Sequence, residues 1–227
     1  MGPPRRLDSR MWSAMDLLGD VISYIRDNPE RVREAIEVHL KLSLYALGLA
    51  LLIFTPLGVL ASRARRLGPP LIGLVGAARV VPSLAVVFLL LPTMGTGFRP
   101  ALIALTILAG PPIIINTDAA LRGIDRAVLE NARGLGMTAF QVFRKIEFPL
   151  GLPVFLTGVR TATVEVIASA TLAAFIGAGG LGNFIISGIT LVDDRLLLVG
   201  ALPIIAMTLL AELLLTGLER LVTPPAA

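Results

Sequence analysis

An all-α, polytopic membrane helical bundle with about five transmembrane helices is the fold that this sequence predicts, on three observations. Of the 227 residues 55% are hydrophobic, and adding the 22 glycines brings the apolar share to roughly 65%, against about 45–50% on the same count for a soluble domain. Only 16% are charged, and the mean hydropathy is +0.83. The charges are also gathered into a few stretches, leaving between them long apolar runs that carry at most two charges each. Each run matches the ~20 residues that a helix needs to cross a bilayer at 1.5 Å per residue.

The elements follow in chain order. Residues 1–41 carry seven bases and seven acids and no apolar h-region, so a cleavable signal peptide is not expected. Within them, Asp16 to Leu40 reads as an amphipathic surface helix with a turn at Asn28-Pro29. The remainder, 42–218, holds the spans. The first is 42–62, with Pro56 expected to kink it. The second lies near 71–91, with a break expected at Pro82-Ser83. The third is 101–117, the fourth 153–176 and the fifth 196–217. On the fourth, Ser169, Ala173 and Gly177 recur every four residues, a small-residue stripe suited to close helix contact.

Orientation follows from the bases. Arg63, Arg65 and Arg66 fill the first loop, and Arg122, Arg126, Arg133, Arg144 and Lys145 fill the third, about 118–150. The positive-inside rule puts both loops, and the C-terminus, in the cytoplasm and the N-terminus outside. Eighteen of the twenty bases are arginine and the pI is near 10.3. The bases nonetheless flank apolar runs rather than forming a face interleaved with aromatics, so no nucleic-acid partner is expected. There is no cysteine, and the single histidine, His39, has no second ligand near it, so no metal site is expected.

The third loop carries the most specific pattern. Glu130-Asn131-Ala132 is followed after three residues by Gly136-Met137; nine residues separate Gly136 from Ile146, and one more separates Ile146 from Phe148-Pro149. Gly136 is suited to the left-handed conformation that ends a helix. Thr138 and Gln141 have the spacing of a capping box for a second helix. Phe140 with Phe143, and Val142 with Ile146, fall at i,i+3 and i,i+4 spacing and make an apolar stripe, and Pro149 is expected to stop the element. A helical hairpin with such a stripe needs a surface to bury it, either the protein's own helix ends or the groove of a partner.

The spacing Glu-x-Ala-x3-Gly-x9-Ile-x-x-Pro resembles the EAA loop of ATP-binding-cassette importer permeases of the type I fold. Asn131 stands where alanine is usual, and Phe148 where leucine is. The runs 116–125, 134–138, 158–162 and 171–182 are similar to the osmoprotectant branch of those permeases, which carries glycine betaine, carnitine, choline or proline betaine. The resemblance implies an ATPase subunit pair docked at Glu130, Asn131, Ala132, Gly136, Met137, Phe140, Phe143, Ile146 and Pro149. It also implies a second permease copy or paralogue, an external solute-binding protein, and residence in the lipid of the cytoplasmic (inner) membrane. In keeping with this, the chain contains no Gly-x4-Gly-Lys phosphate loop and needs no cofactor or catalytic residue of its own.

The other charged and flexible positions bear on transport. Arg79 and Glu165 are costly facing lipid, by about 2.5–3.5 kcal/mol for Arg or Asp at a helix centre, so they are expected to face the bundle interior, there either to pair or to make two separate structural hydrogen bonds. With Pro82 and Ser83 they are the candidate lining of the passage. Arg160 is expected near the cytoplasmic end, where it can snorkel. The turn containing Gly177, Gly179, Gly180 and Gly182 falls on the outer side by parity, as an outer gate or a contact for the binding protein. Trp12 and one of the two tyrosines, Tyr24, precede the first span, and several of the nine phenylalanines belong to the hairpin, so a high-affinity cation–π cage inside the membrane is not expected and affinity is expected in the binding protein. The rival readings are a permease of the same build for methionine or another small solute, a stand-alone secondary carrier, and an assembly protein that transports nothing. A carrier would call for internal repeats and buried proton-relay acids, and no repeat is present.

Overall fold

The computed structural model describes residues 14–64 and 66–222, all of whose regular elements are helical. Trp12 and Arg65 lie outside the described residues. The chain opens with α1 (Ala14–Asp27), which has Asp16 in its first turn and Arg26 in its last, each stabilising its end of the helix dipole. Asn28 breaks the helix at φ −130°, its side-chain amide donating to Tyr24 O at 3.1 Å. Pro29 then starts α2 (Pro29–Arg63), whose 35 residues span roughly 52 Å. The amphipathic stretch and the first apolar run are therefore one rod, with no break at residue 41, and His39 lies inside it. Pro56 does not interrupt it.

The second apolar run is broken. Helix α3 (Gly68–Ala78) and the following α4 (Ser83–Leu89) and α5 (Leu91–Met94) meet at 93°. Pro82 is the cause: it has no N–H to continue α3 and bars its predecessor from helical geometry, while its own φ of −57° leads into α4. Helix α6 (Phe98–Arg122) follows, then the short α7 (Arg126–Gly134) and α8 (Ala139–Val142).

Pro149 does not stop the second short helix. From α8 the chain passes through one π turn (Phe143–Glu147) directly into α9 (Phe148–Ser169), making a continuous 31-residue helical rod. The Phe148 N–H reaches back to Phe143 O, and this wider loop lets Pro149 sit in the first turn of α9, where its missing N–H costs nothing.

Helix α9 ends at Ser169, earlier than the apolar run suggests. A 3-10 turn (Leu172–Ile176) and the glycine turn follow, so Ser169, Ala173 and Gly177 do not share a helix face. Helix α10 (Gly182–Leu191) then doubles back along α11 (Asp194–Val222), allowed by Gly188 and Gly200. A Cβ on Gly188 would stand 2.5 Å from Leu197 N, and one on Gly200 2.8 Å from Leu181 O. Asp193 caps α11 by accepting from the Leu196 N–H at 3.1 Å. Partial burial pushes its carboxyl up, but the bonds from Leu196 and Arg195 and the Arg195 charge outweigh that and hold it below the usual aspartate value.

Helix α6 is the centre of the bundle, flanked by α2 and α9, while α11 lies against α9 and α10 and α1 lies on α11. The core is built largely of alanines, among them Ala46, Ala50, Ala101, Ala104, Ala109 and Ala162, all essentially inaccessible. Small residues set the approach of the helices: a Cβ on Gly58 would stand 2.6 Å from Thr117 Cβ, and one on Gly158 2.5 Å from Asn116 Cβ. The contact that the sequence suggests for Ser169, Ala173 and Gly177 is thus made elsewhere. Polar side chains on α6 and α9 bond back to their own helices, as Thr117 does to Ile113 O and Thr163 to Val159 O, so they cost little in an apolar setting.

Helices α2, α6, α9 (with α8) and α11 are each long and apolar enough to cross a membrane, and the bent α3–α5 pair makes a fifth if it is one span.

A capped hairpin at one end and a charged cavity in the bundle

The ends of α2 and α6 and the base of α9 gather at one pole, which also holds the hairpin. Asp125 caps α7 by accepting from the Ala127 N–H at 2.9 Å. Gly136, at φ +78°, ends it: its N–H donates to Arg133 O and that of Met137 to Ala132 O, at 2.9 and 3.2 Å. The capping box is complete, with the Thr138 N–H donating to Gln141 Oε1 at 2.8 Å and the Gln141 N–H to Thr138 Oγ1 at 3.3 Å. Both helices are thereby stiffened at their junction by bonds that span only a few residues.

The stripe of the hairpin is divided. Ala132 and Val142 are buried inward and Ile146 is half-buried, while Glu130, Asn131, Phe140, Phe143 and Pro149 are exposed and Met137 is half-exposed. Leu135 is 84% exposed and Phe140 68%, and Phe148 lies beside Phe143 with ring centroids 6.3 Å apart. Large exposed apolar side chains among Arg126, Arg133, Arg144 and Lys145 are the usual mark of an interaction surface.

Two linkages tie this base to its neighbours. Glu147, in the π turn, has its side chain 3% exposed and accepts two bonds from Arg63 at the end of α2: Nη1 to Oε1 at 2.9 Å and Nη2 to Oε2. Arg122 at the end of α6 donates through Nε to Asp118 at 2.7 Å and through Nη2 to Ala61 O at 2.6 Å, satisfying a terminal carbonyl of α2. Sequence reasoning missed the Arg63–Glu147 pair. The available signal was a lone acid at the mouth of an apolar run, in a stretch otherwise basic.

Further along α9, Arg160 finds its partners on another helix. Its guanidinium turns to α11, with Nε 3.5 Å from Glu212 Oε1, Nη1 3.4 Å from Glu219 Oε2, and a bond to Thr216 Oγ1 at 3.2 Å. Two carboxylates at hand make a better partner than a distant headgroup region.

The four candidates for the passage come together. Arg79 follows α3, Pro82 and Ser83 form the bend, and Glu165 projects from α9. All line one cavity of 510 Å³, with Pro111 of α6 and Ser169 on its walls. Arg79 Nη2 donates to Glu165 Oε1 at 2.9 Å, and these are the two charged residues among those lining the cavity, which include no aromatic. Tyr24 is far from it, edge-on to Phe184 and beneath Arg195.

The glycine turn lies at the opposite pole from the hairpin. Gly177 is exposed, Gly179 half-exposed, and Gly180 and Gly182 buried. Gly180 packs on His39 and Gly182 crosses Thr171 O, where a Cβ would stand 2.2 Å away. His39 is buried, its Nε2 3.1 Å from Ile167 O near the end of α9. No group of three or more potential ligands is arranged for a metal among the described residues.

Residues 54–224 match the family described as "Binding-protein-dependent transport system inner membrane component". The chain is 39% identical over 206 residues to the carnitine transport permease protein OpuCB of Listeria monocytogenes, covering 91% of this chain and 94% of that one. It is 38% identical over 210 residues to the osmoprotectant import permease protein OsmW of Salmonella typhimurium (90% and 98%). With the choline transport system permease protein OpuBB of Bacillus subtilis it shares 35% over 204 residues (90% and 94%). Among solved structures, a chain of the MetNI methionine ABC transporter in an inward-facing conformation superimposes with a TM-score of 0.76, covering 86% of this chain and 99% of that one; at 20% identity this likeness is one of fold. The chain is a multi-pass membrane protein and belongs to the family of binding-protein-dependent transport system inner membrane components.

Proposed function

We propose that this chain is the permease subunit of an ATP-driven importer of compatible solutes of the glycine betaine, carnitine and choline kind, working in the inner membrane with the hairpin in the cytoplasm. The relatives above support the cargo. The arrangement of bases around the hairpin supports the orientation, which leaves the C-terminus inside and the segment 1–41 on the outer face. One observation carries the coupling role: a doubly capped hairpin holds Leu135 and Phe140 exposed at its tip, uncovered by any of the described residues.

One member of a separate ATPase subunit pair docks on this tip, burying it in a groove. Glu130, Asn131, Gly136 and Met137 shape the contact, while Ala132, Phe143, Ile146 and Pro149 seat it on the bundle. Because α8 continues through the π turn into α9, displacement of Phe140 is passed along one rod to Glu165, about 38 Å away at 1.5 Å per residue. That rod forms one wall of the charged cavity and the broken α3–α4 segment forms another. Moving one against the other opens the cavity to alternate sides, and the passage runs by Arg79, Pro82, Ser83 and Glu165. The glycine turn at the far pole serves as outer gate or as contact for an external solute-binding protein, and a second permease, identical or paralogous, completes the passage.

The test is reconstitution of the complex with Gly136→Pro or Glu130→Lys. Both variants are expected to insert normally, to lose the ATPase subunits on purification and to abolish uptake. Normal co-purification and uptake overturn the docking role.

A further inference from the structure

We infer that the Arg79–Glu165 pair selects for solutes that carry both charges, favouring zwitterions over plain cations at the permease itself. This rests on reading the 510 Å³ cavity as part of the passage. Its volume lies within the roughly 300–1,000 Å³ of ordinary ligand sites. Relatives of this chain are named for carnitine, a zwitterion, and for choline, a cation, so the family as a whole leaves the choice open.

The cavity decides it by charge balance. Arg79 and Glu165 supply its only full charges among the lining residues, and the rest of the wall is apolar apart from Ser83 and Ser169. No aromatic ring lines it, so a quaternary ammonium group has Glu165 as its counter-charge and no cation–π alternative. The two side chains are joined by a single N–H···O bond at 2.9 Å, where Arg63 and Glu147 share two. Both are also more open than Glu147, the Arg79 side chain 46% exposed and that of Glu165 37%. The contact is thus loose enough to exchange.

A zwitterion replaces each partner with its own opposite charge: its carboxylate meets the Arg79 guanidinium, which suits it geometrically, and its ammonium meets Glu165. The cavity stays neutral throughout. A plain cation pairs with Glu165 but strands Arg79, and a plain anion strands Glu165. Water reaches both side chains, so the penalty for a stranded charge is smaller than in a dry interior, but it still sets a plain cation or anion below a zwitterion.

The chain has no cysteine, which gives a clean background for a reporter. Ser169→Cys places a thiol on the cavity wall, to be labelled with a membrane-impermeant maleimide in the assembled transporter with its ATPase subunits and binding protein. Glycine betaine is expected to slow labelling at concentrations roughly tenfold lower than choline does, equivalent to about 1.4 kcal/mol of preference. Arg79→Gln should reverse that order, and Arg79→Gln with Glu165→Gln should remove protection by either solute. Equal protection by the two solutes, or an order unchanged in Arg79→Gln, overturns the inference while leaving the passage intact. A thiol that no solute protects and that labels in no nucleotide state, in a transporter still importing solute, overturns the passage reading itself. Where Ser169→Cys impairs uptake, Ala78→Cys on the facing wall gives the same readout.

Discussion

The Arg63–Glu147 pair makes an asymmetric prediction. Glu147 has a side chain only 3% exposed, whereas that of Arg63 is 49% exposed, so water reaches one partner and not the other. Arg63→Ala strands a carboxylate in an apolar site lined by Phe143, Phe148 and Phe155, and breaking a buried pair in this way costs about 3–5 kcal/mol. Glu147→Ala leaves a guanidinium that can turn to solvent, and its cost is nearer the ~1 kcal/mol of an exposed pair plus a small cavity. The difference between the two variants should therefore be about 2 kcal/mol, and Glu147→Ala should partly rescue Arg63→Ala in the double variant. Denaturant unfolding of the detergent-solubilised protein reads the order directly. Equal losses in the two single variants, or a double variant less stable than Arg63→Ala, refute the reasoning. Uptake adds a second readout, because the pair ties the base of the hairpin rod to α2: Arg63→Ala should lower the solute imported per ATP consumed as well as stability.

Phe140→Asp should leave the bundle folded, since the residue is largely exposed, yet reduce ATPase co-purification at least tenfold by putting a charge into an apolar groove; unaltered co-purification counts against the docking face. Gly158→Leu should prevent the approach of α6 to α9, where even a Cβ would stand 2.5 Å from Asn116 and 2.9 Å from Pro112 O, and a loss of several kcal/mol of the kind seen for overpacking is expected in the same unfolding assay. Asp193 is held below the ordinary aspartate value, so its contribution is present above that value and is lost as pH falls through its lowered one. Acid should therefore loosen the α10–α11 turn, with faster hydrogen exchange at Leu196, and Asp193→Ala should show that exchange at neutral pH and no further acid step.

Much of this protein was decided within a few residues of chain. Apolar runs long enough for a bilayer mark the candidate crossings, because each helix satisfies its own backbone. The turn at Asn28, the break at Pro82, the left-handed Gly136 and the Thr138–Gln141 box are likewise local, each set by bonds or clashes spanning at most about four residues. Local spacing misled where a neighbouring turn could absorb the disruption. Pro149 is a helix stop in isolation, but the π turn before it carries the helix through into α9. Ser169, Ala173 and Gly177 keep helical spacing in sequence, yet the helix ends at the first of them. Partnership was decided only by the tertiary structure. Arg63 finds Glu147 across 84 residues and Arg79 finds Glu165 across 86, while Arg160 meets Glu212 and Glu219 on another helix. Which charge meets which depends on the rotation and depth at which packed helices face each other. Those are set by where glycine and alanine let backbones approach, a property of pairs of segments that no single segment contains.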